Sequence, residues 1–341
     1  MDMEQSKLPM IELHLHLDGA IPPETMWALA QEKGVPMPAE TLEGFQHWLV
    51  ETSDCADVNT YLARFELPLQ LMQDAPSIAR VTKDLMTELS RQGHIYDEIR
   101  FAPQLHRREG LTQRQAIEAV LEGRRQALAE NPGYDAGILL CAMCIGPETV
   151  NMAENLETVR LAKEFLGRGV VGADLAGAEG IVPLQSFHPV FDLARELGVP
   201  ATCHAGDSQG PDTVRDALSF GVRRIGHGHH IYDEPSLWEP AIARGVTLEI
   251  CPTSNIQCHT QPSYREHPAK KLLDAGLRLC ISTDNMTLAA VSLADEYRHC
   301  VEDMGLTPED LGKMLVFAAE AAFLPEEKKQ KLVARVREAL S

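Results

Sequence analysis

The stretch IELHLHLDGA, residues 11–20, decides the fold. It is a short run rich in isoleucine and leucine, and side chains of an extended strand alternate faces with period two. His14 and His16 therefore point the same way. Comparable apolar runs recur at 95–101, 137–145, 170–175, 199–204, 224–228, 247–251 and 278–283. Between them lie helical patterns such as LTQRQAIEAVLEGRRQALAE (111–130), NLETVRLAKEFLGRG (155–169) and HPVFDLARELGV (188–199). From the second run onward the starts are 23 to 42 residues apart, room for a strand, a loop, a helix and a second loop. Eight such units predict an α/β fold, a (β/α)8 barrel of the TIM type.

Only the first interval, from 11 to 95, is too long for one unit. It contains PPETMWALAQEKGV, VNTYLARFELPLQLM and SIARVTKDLMTELSRQG, which read as several helices, so a helical insertion of roughly residues 22–93 is expected after strand 1. Loops that follow barrel strands line the active-site face, and the insertion should roof the pocket. Length divided by about 150 allows two domains. The strand count, and the lack of any Pro/Gly/Ser-rich linker, instead make residues 1–341 a single barrel domain.

Composition removes other classes. With Lys+Arg 31 against Asp+Glu 50 the formal charge is −19, which repels phosphate backbones and anionic lipid headgroups. No nucleic acid and no membrane partner is expected. The longest mostly apolar run, 136–145, is far short of the roughly 20 residues a spanning helix needs. The first ten residues, MDMEQSKLPM, hold no apolar signal core, so the cytoplasm is the expected location. Eight cysteines, at 55, 141, 144, 203, 251, 258, 280 and 300, follow no disulfide spacing and read as reduced, buried thiols. The lone C-x-x-C, Cys141 to Cys144, has no second pair beside it to make a zinc knuckle.

Chemistry gathers at the strand ends: His14 and His16 on strand 1, Asp174-Leu-Ala-Gly177 on strand 4, His204-Ala-Gly-Asp207 on strand 5, Gly226-His227-Gly228 on strand 6, Cys251-Pro-Thr-Ser-Asn255 on strand 7 and Ser282-Thr-Asp-Asn285 on strand 8. A single strand histidine is usually a core or hydrogen-bonding residue, and His47, His94, His106, His188, His259, His267 and His299 are read so. The set His14, His16, His204, His227 and Asp284 is different, because burying five polar groups with nothing to bind would cost several kcal/mol each. Three neutral imidazoles and a carboxylate suit one Zn²⁺ with a position left for water, whose pKa it lowers toward about 7. Iron, cobalt or manganese fit the same donors.

The series ELHLHLDGA, DLAG, HAGD, RIGHG, CPTSN and STDN, in this order, resembles the adenosine deaminase family of the amidohydrolase superfamily, over residues 11 to about 325. The resemblance implies a zinc-dependent hydrolase that removes the 6-amino group of a purine nucleoside. It implies His14, His16, His204 and Asp284 as metal ligands and His227 as the histidine that orients the attacking water. It further implies substrate contacts from His16, from Asp18 to the ribose, from the Gly177 N–H to purine N3, from Asn285 to N7, and from an apolar wall of Tyr61, Leu62 and Phe65. Relatives that act on free adenine tend to carry Glu where this chain has Asp18, which favours a nucleoside.

Two positions depart from the family pattern. The usual His-Ala-Gly-Glu is His-Ala-Gly-Asp here, so Asp207 is the expected proton donor to purine N1, with a reach shorter by about 1.3 Å given C–C bonds of about 1.5 Å. Asn285 stands where many members have a second Asp, and its amide can donate to N7 at any pH. The residues 170–177, VVGADLAG, include no Lys to bridge two metals, and no H-x-E pairs with P-C-x-x-C, so the cytidine-deaminase zinc signature is absent. Two alternatives stay open: a deaminase of another aminopurine, adenine or a 5′-modified adenosine, and a non-catalytic purine- or zinc-binding relative.

Overall fold

Strand pairing accounts for every apolar run read from the sequence. The computed structural model describes residues 8–147 and 149–341. Its strands are β1 Met10–His16, β2 His94–Phe101, β3 Asp135–Cys144, β4 Val170–Gly177, β5 Thr202–Ala205, β6 Arg224–His227, β7 Thr247–Ile250 and β8 Arg278–Ile281. Neighbours pair in parallel from β1 to β4 and from β5 to β8.

Two narrow seams join these halves into the (β/α)8 barrel. Between β4 and β5, the Ala173 N–H donates to Pro200 O at 2.9 Å. Between β1 and the end of β8, the His16 N–H donates to Asp284 O at 2.8 Å and the Asp284 N–H donates to His14 O at 3.0 Å. The fifth strand starts at Thr202, three residues later than the apolar run suggested, because Pro200 lacks an N–H for the ladder.

The helices are α1 Pro23–Lys33, α2 Leu42–Glu51, α3 Val58–Ala63, α4 Glu66–Leu71, α5 Ala75–Gln92, α6 Gln113–Glu130, α7 Met152–Phe165, α8 His188–Leu197, α9 Pro211–Phe220, α10 Trp238–Arg244, α11 Pro252–Gln257, α12 Ala269–Asp274, α13 Leu293–Glu302, α14 Pro308–Ala321 and α15 Glu326–Ala339. Local signals set their ends. Thr112 and Gln115 form a capping box on α6, as do Ser292 with Asp295 on α13 and Thr307 with Asp310 on α14, each satisfying N–H groups the helix leaves open. Helices α1 to α5 fill the long interval between β1 and β2. Asp57 caps α3 by accepting from the Thr60 N–H at 2.8 Å, and α3 with the turn before α4 brings Tyr61, Leu62 and Phe65 over the barrel mouth.

The barrel carries an unusual buried ionic array. Arg100 Nη1 lies 2.8 Å from Asp174 Oδ2 and its Nη2 lies 2.8 Å from Glu249 Oε2. Arg224 bridges Glu249, at 2.6 Å, to Glu98. Removing one member would strand a buried charge, which costs about 3–5 kcal/mol. This array reaches directly into the candidate site.

Candidate active site

β1 presents His14 and His16, β5 presents His204, and the turn after β8 presents Asp284, all at the C-terminal mouth. His14 Nε2 is 3.2 Å from Asp284 Oδ1, His16 Nε2 is 3.3 Å from the same oxygen, and His16 Nε2 is 3.2 Å from His204 Nε2. A tetrahedral ion bound at about 2.0–2.1 Å sets its ligand atoms about 3.3–3.4 Å apart. These separations fit one.

Tautomers support the same reading. The Nδ1–H of His14 donates to Glu249 at 2.9 Å, and that of His204 donates to Asp174 at 3.0 Å. Each ring thus turns an unshared Nε2 pair toward the cluster, the carboxylate–histidine arrangement of metal sites. His14 Nε2 is buried with no hydrogen-bond partner, and the facing Nε2 atoms of His16 and His204 need a cation or proton between them. Burial pushes Glu249 up, but Arg100 and Arg224 outweigh it and hold the carboxyl well below its usual range. Asp174 is likewise held down, by His204 and Arg100 against burial. Burial drives His14 and His16 down and keeps them neutral, whereas Asp174 overcomes burial to raise His204.

The backbone is strained where it serves this cluster. His227 and Asp284 adopt φ values of 59° and 64°, a left-handed conformation that costs a non-glycine residue about 1–3 kcal/mol. At Asp284 the two seam hydrogen bonds hold it, so closing the barrel and placing the carboxylate are one event. Gly226 makes room for the His14 ring, since a Cβ there would meet its Cε1 at 2.9 Å.

Asp207 and His227 face each other across Asn255. The Asn255 Nδ2 donates to Asp207 Oδ1 at 2.8 Å and to His227 Nδ1 at 3.1 Å. Its Oδ1 faces His267 Nε2 at 3.2 Å, and His267 Nδ1 accepts from the Ala269 N–H at 3.2 Å. The backbone donor therefore puts the His267 proton on Nε2, fixes the amide's orientation, and leaves a neutral His227 with its proton on Nε2. Thr260 Oγ1 also donates to Asp207 Oδ1, at 3.1 Å, so both donors hold one oxygen and Oδ2 is free for a ligand.

A cavity of about 350 Å³ joins these groups and has the size of a small-molecule pocket. It is lined by every expected site residue except His14, the most deeply buried of the four clustered donors. Tyr61 Oη and Asp18 Oδ1 are buried there without partners, and burial pushes the Asp18 carboxyl up to about 6. Gly177 has a second reason to be glycine: its φ is 108°, and a Cβ would strike Cys144 O at 2.4 Å. Roles for Asn255, Thr260, Glu249 and His267 were not legible in the sequence. Asn255 stood inside the CPTSN motif, but His267 carried no signal beyond that of an ordinary buried histidine.

An eight-stranded parallel barrel with three histidines and an aspartate at its mouth has the design of a metal-dependent hydrolase of the amidohydrolase type. The chain belongs to the adenosine deaminase family, whose profile, described as "Adenosine deaminase", matches residues 9–339. It is 38% identical over 332 residues to an adenosine deaminase of Haemophilus ducreyi, covering 96% of each chain. It is 37% identical over 331 residues to that of Clostridium perfringens, covering 97% of this chain and 98% of the relative. Among solved structures, an Arabidopsis N6-mAMP deaminase superposes with a TM-score of 0.85 at 27% identity, over 99% of this chain and 100% of that one. An adenine deaminase of Arthrobacter aurescens, 22% identical over 98% of this chain and 99% of its own, shares the fold with a TM-score of 0.86.

Proposed function

We propose that this chain hydrolyses the C6–amino bond of adenosine or 2′-deoxyadenosine, giving inosine or 2′-deoxyinosine and ammonia, as one hydrolase domain. The observation that carries this reading is that the four-donor cluster and the free oxygen of Asp207 open into the same apolar cavity. His14, His16, His204 and Asp284 would hold a single zinc ion, which when bound supplies Lewis-acid activation of water. Asp207, through its free Oδ2, would deliver the proton to purine N1 as C6 is attacked. His227 presents its Nε2–H to the attacking oxygen, orienting it and stabilising developing negative charge.

The remaining contacts position the purine. Asp18 accepts from a ribose hydroxyl, and the Gly177 N–H donates to N3. Asn285 packs over Gly19, where a Cβ would sit 1.9 Å from its Oδ1, and its amide would donate to N7. Tyr61, Leu62 and Phe65 cover the base. Among the described residues no Lys or Arg lines the cavity, so a nucleotide phosphate would find no cation, which supports nucleoside over nucleotide. No helix of the described residues is long and apolar enough to cross a membrane; we place the enzyme in the cytoplasm.

The test is to follow the ultraviolet band of the substrate with zinc-loaded protein and adenosine, 2′-deoxyadenosine, adenine and AMP in turn. Turnover of the two nucleosides is expected. Turnover of adenine or AMP alone would overturn the substrate assignment, and no turnover by zinc-loaded protein would overturn the activity.

A further inference from the structure

The loop that carries Asp207 is held by a carboxylate that no motif singles out. Glu179 lies in the loop after β4, and its side chain reaches across to residues 206–209. Its Oε1 accepts from the Gly206 N–H at 2.7 Å and from Thr213 Oγ1 at 2.6 Å. Its Oε2 accepts from the N–H groups of Asp207 at 3.1 Å, Ser208 at 2.8 Å and Gln209 at 3.1 Å. Four successive backbone N–H groups thus converge on one carboxylate, the arrangement of an anion-binding nest.

Chain geometry makes this convergence specific. Gly206 has a φ of 66°, which turns its N–H to the same side as those that follow. The loop runs straight into α9, whose N-terminal end favours negative charge, and Gly210 there offers no side-chain cap. The two loops also touch directly, because a Cβ on Gly180 would lie 2.4 Å from Gln209 Nε2. Both oxygens of Glu179 are occupied by these donors and it does not line the substrate cavity, so it is not an alternative proton donor.

We infer that Glu179 is a positioning residue for the proton donor: it fixes the backbone of Asp207 while Asn255 and Thr260 fix its side chain. This rests on the reading of Asp207 as the donor. A donor with the shorter aspartate side chain has less reach to spare, and an error near 1 Å costs about 10²-fold in rate. The structure therefore assigns to the Glu179 carboxylate the task of holding residue 207 where its Oδ2 meets N1. Loss of the carboxylate should lower the rate of proton delivery while the metal cluster and purine contacts stay in place.

The experiment compares Glu179→Ala, Glu179→Gln, Asp207→Asn and the Glu179→Ala/Asp207→Asn double variant as zinc-loaded enzyme. Metal content, inosine affinity, kcat and KM for adenosine are measured on each. Glu179→Ala is expected to lower kcat about 10²-fold, with metal content unchanged and inosine affinity and KM within threefold. Glu179→Gln keeps one acceptor oxygen and is expected to fall between it and the parent. In the double variant, Glu179→Ala should add less than threefold to the loss from Asp207→Asn, because residues acting as a unit are non-additive. If Glu179→Ala does not fold, Thr213→Val, which removes one donor at the same oxygen, must lower kcat in the same direction. Full kcat in Glu179→Ala beside an inactive Asp207→Asn, or additive losses in the double variant, would overturn the positioning role alone. Full activity in Asp207→Asn would overturn the donor reading beneath it.

Discussion

Two buried clusters of ionisable groups share β1, and they have opposite chemistry. His14 and His16 stand in the mouth cluster, whereas Glu12 stands with His94 and Asp97 in a second group whose donor atoms also lie within 4.8 Å of one another. The hydrogen bonds of the second group pair donors with acceptors, while Glu12 Oε2 and His94 Nε2 stay buried without partners. His94 Nδ1 meets Asp97 Oδ1 at 2.8 Å, Tyr134 donates to Asp97 Oδ2 at 2.8 Å, the Glu12 N–H donates to Asp97 Oδ1 at 3.1 Å, and Thr283 Oγ1 donates to Glu12 at 2.6 Å. In the mouth, acceptors face acceptors at 3.2–3.3 Å. Burial and residue type do not make a metal site; convergent unshared pairs do.

The largest test of this contrast removes one carboxylate from each cluster. Asp284→Ala should abolish metal retention and lower activity by more than about 10³-fold, since it deletes one of the four proposed ligands. Asp97→Asn should leave metal content and kcat of the folded protein unchanged while lowering stability by about 2–4 kcal/mol. Metal analysis and denaturant titration read both. Metal loss in Asp97→Asn would erase the distinction. Next in size, Asp207→Asn should lower kcat by about 10²–10³-fold with the metal retained; full activity would remove Asp207 from the mechanism. Asp174→Asn comes third: it keeps all four proposed ligands but weakens the Nδ1–H acceptor of His204, and should cost about 10–100-fold in metal affinity, read by competition with a chelator.

What the sequence disclosed follows the same division. Strand periodicity located all eight strands, and the motifs at their ends held His14, His16, His204, His227 and Asp284, because strand ends of a barrel converge in space in a way that order along the chain reveals. Groups that act through loop-to-loop or cross-barrel contacts were not visible. Glu179 lies 28 residues before Asp207, yet its carboxylate accepts the Asp207 N–H. His94 and His267 looked equally ordinary, although His94 completes the Asp97 cluster and His267 sets the orientation of Asn255 at the site. Neither partnership follows from spacing, since each depends on the barrel's register and on loops whose paths local propensity does not specify.

The smallest effect separates the clusters by the sign of their pH response. Metal uptake at the mouth requires neutral imidazoles, so it weakens as pH falls, first through His204, whose pKa Asp174 raises against burial, and only later through His14 and His16, which burial keeps neutral. Glu12 runs the other way. Burial pushes its carboxyl up to about 7 from the 4.5 of an exposed glutamate, so between those values the folded state binds more protons than the unfolded state. Its contribution to stability is fully present below pH 4.5 and is lost as pH rises toward 7, with a slope of at most about 1.4 kcal/mol per pH unit. Glu12→Gln, which keeps the shape and cannot ionise, should flatten that part of the stability profile and leave kcat within about twofold, as expected of a substitution that touches no substrate or ligand. An unchanged slope in the variant would show that Glu12 is ionised in the folded protein, and would bring the Asp97 cluster electrostatically closer to the mouth than its hydrogen bonds indicate.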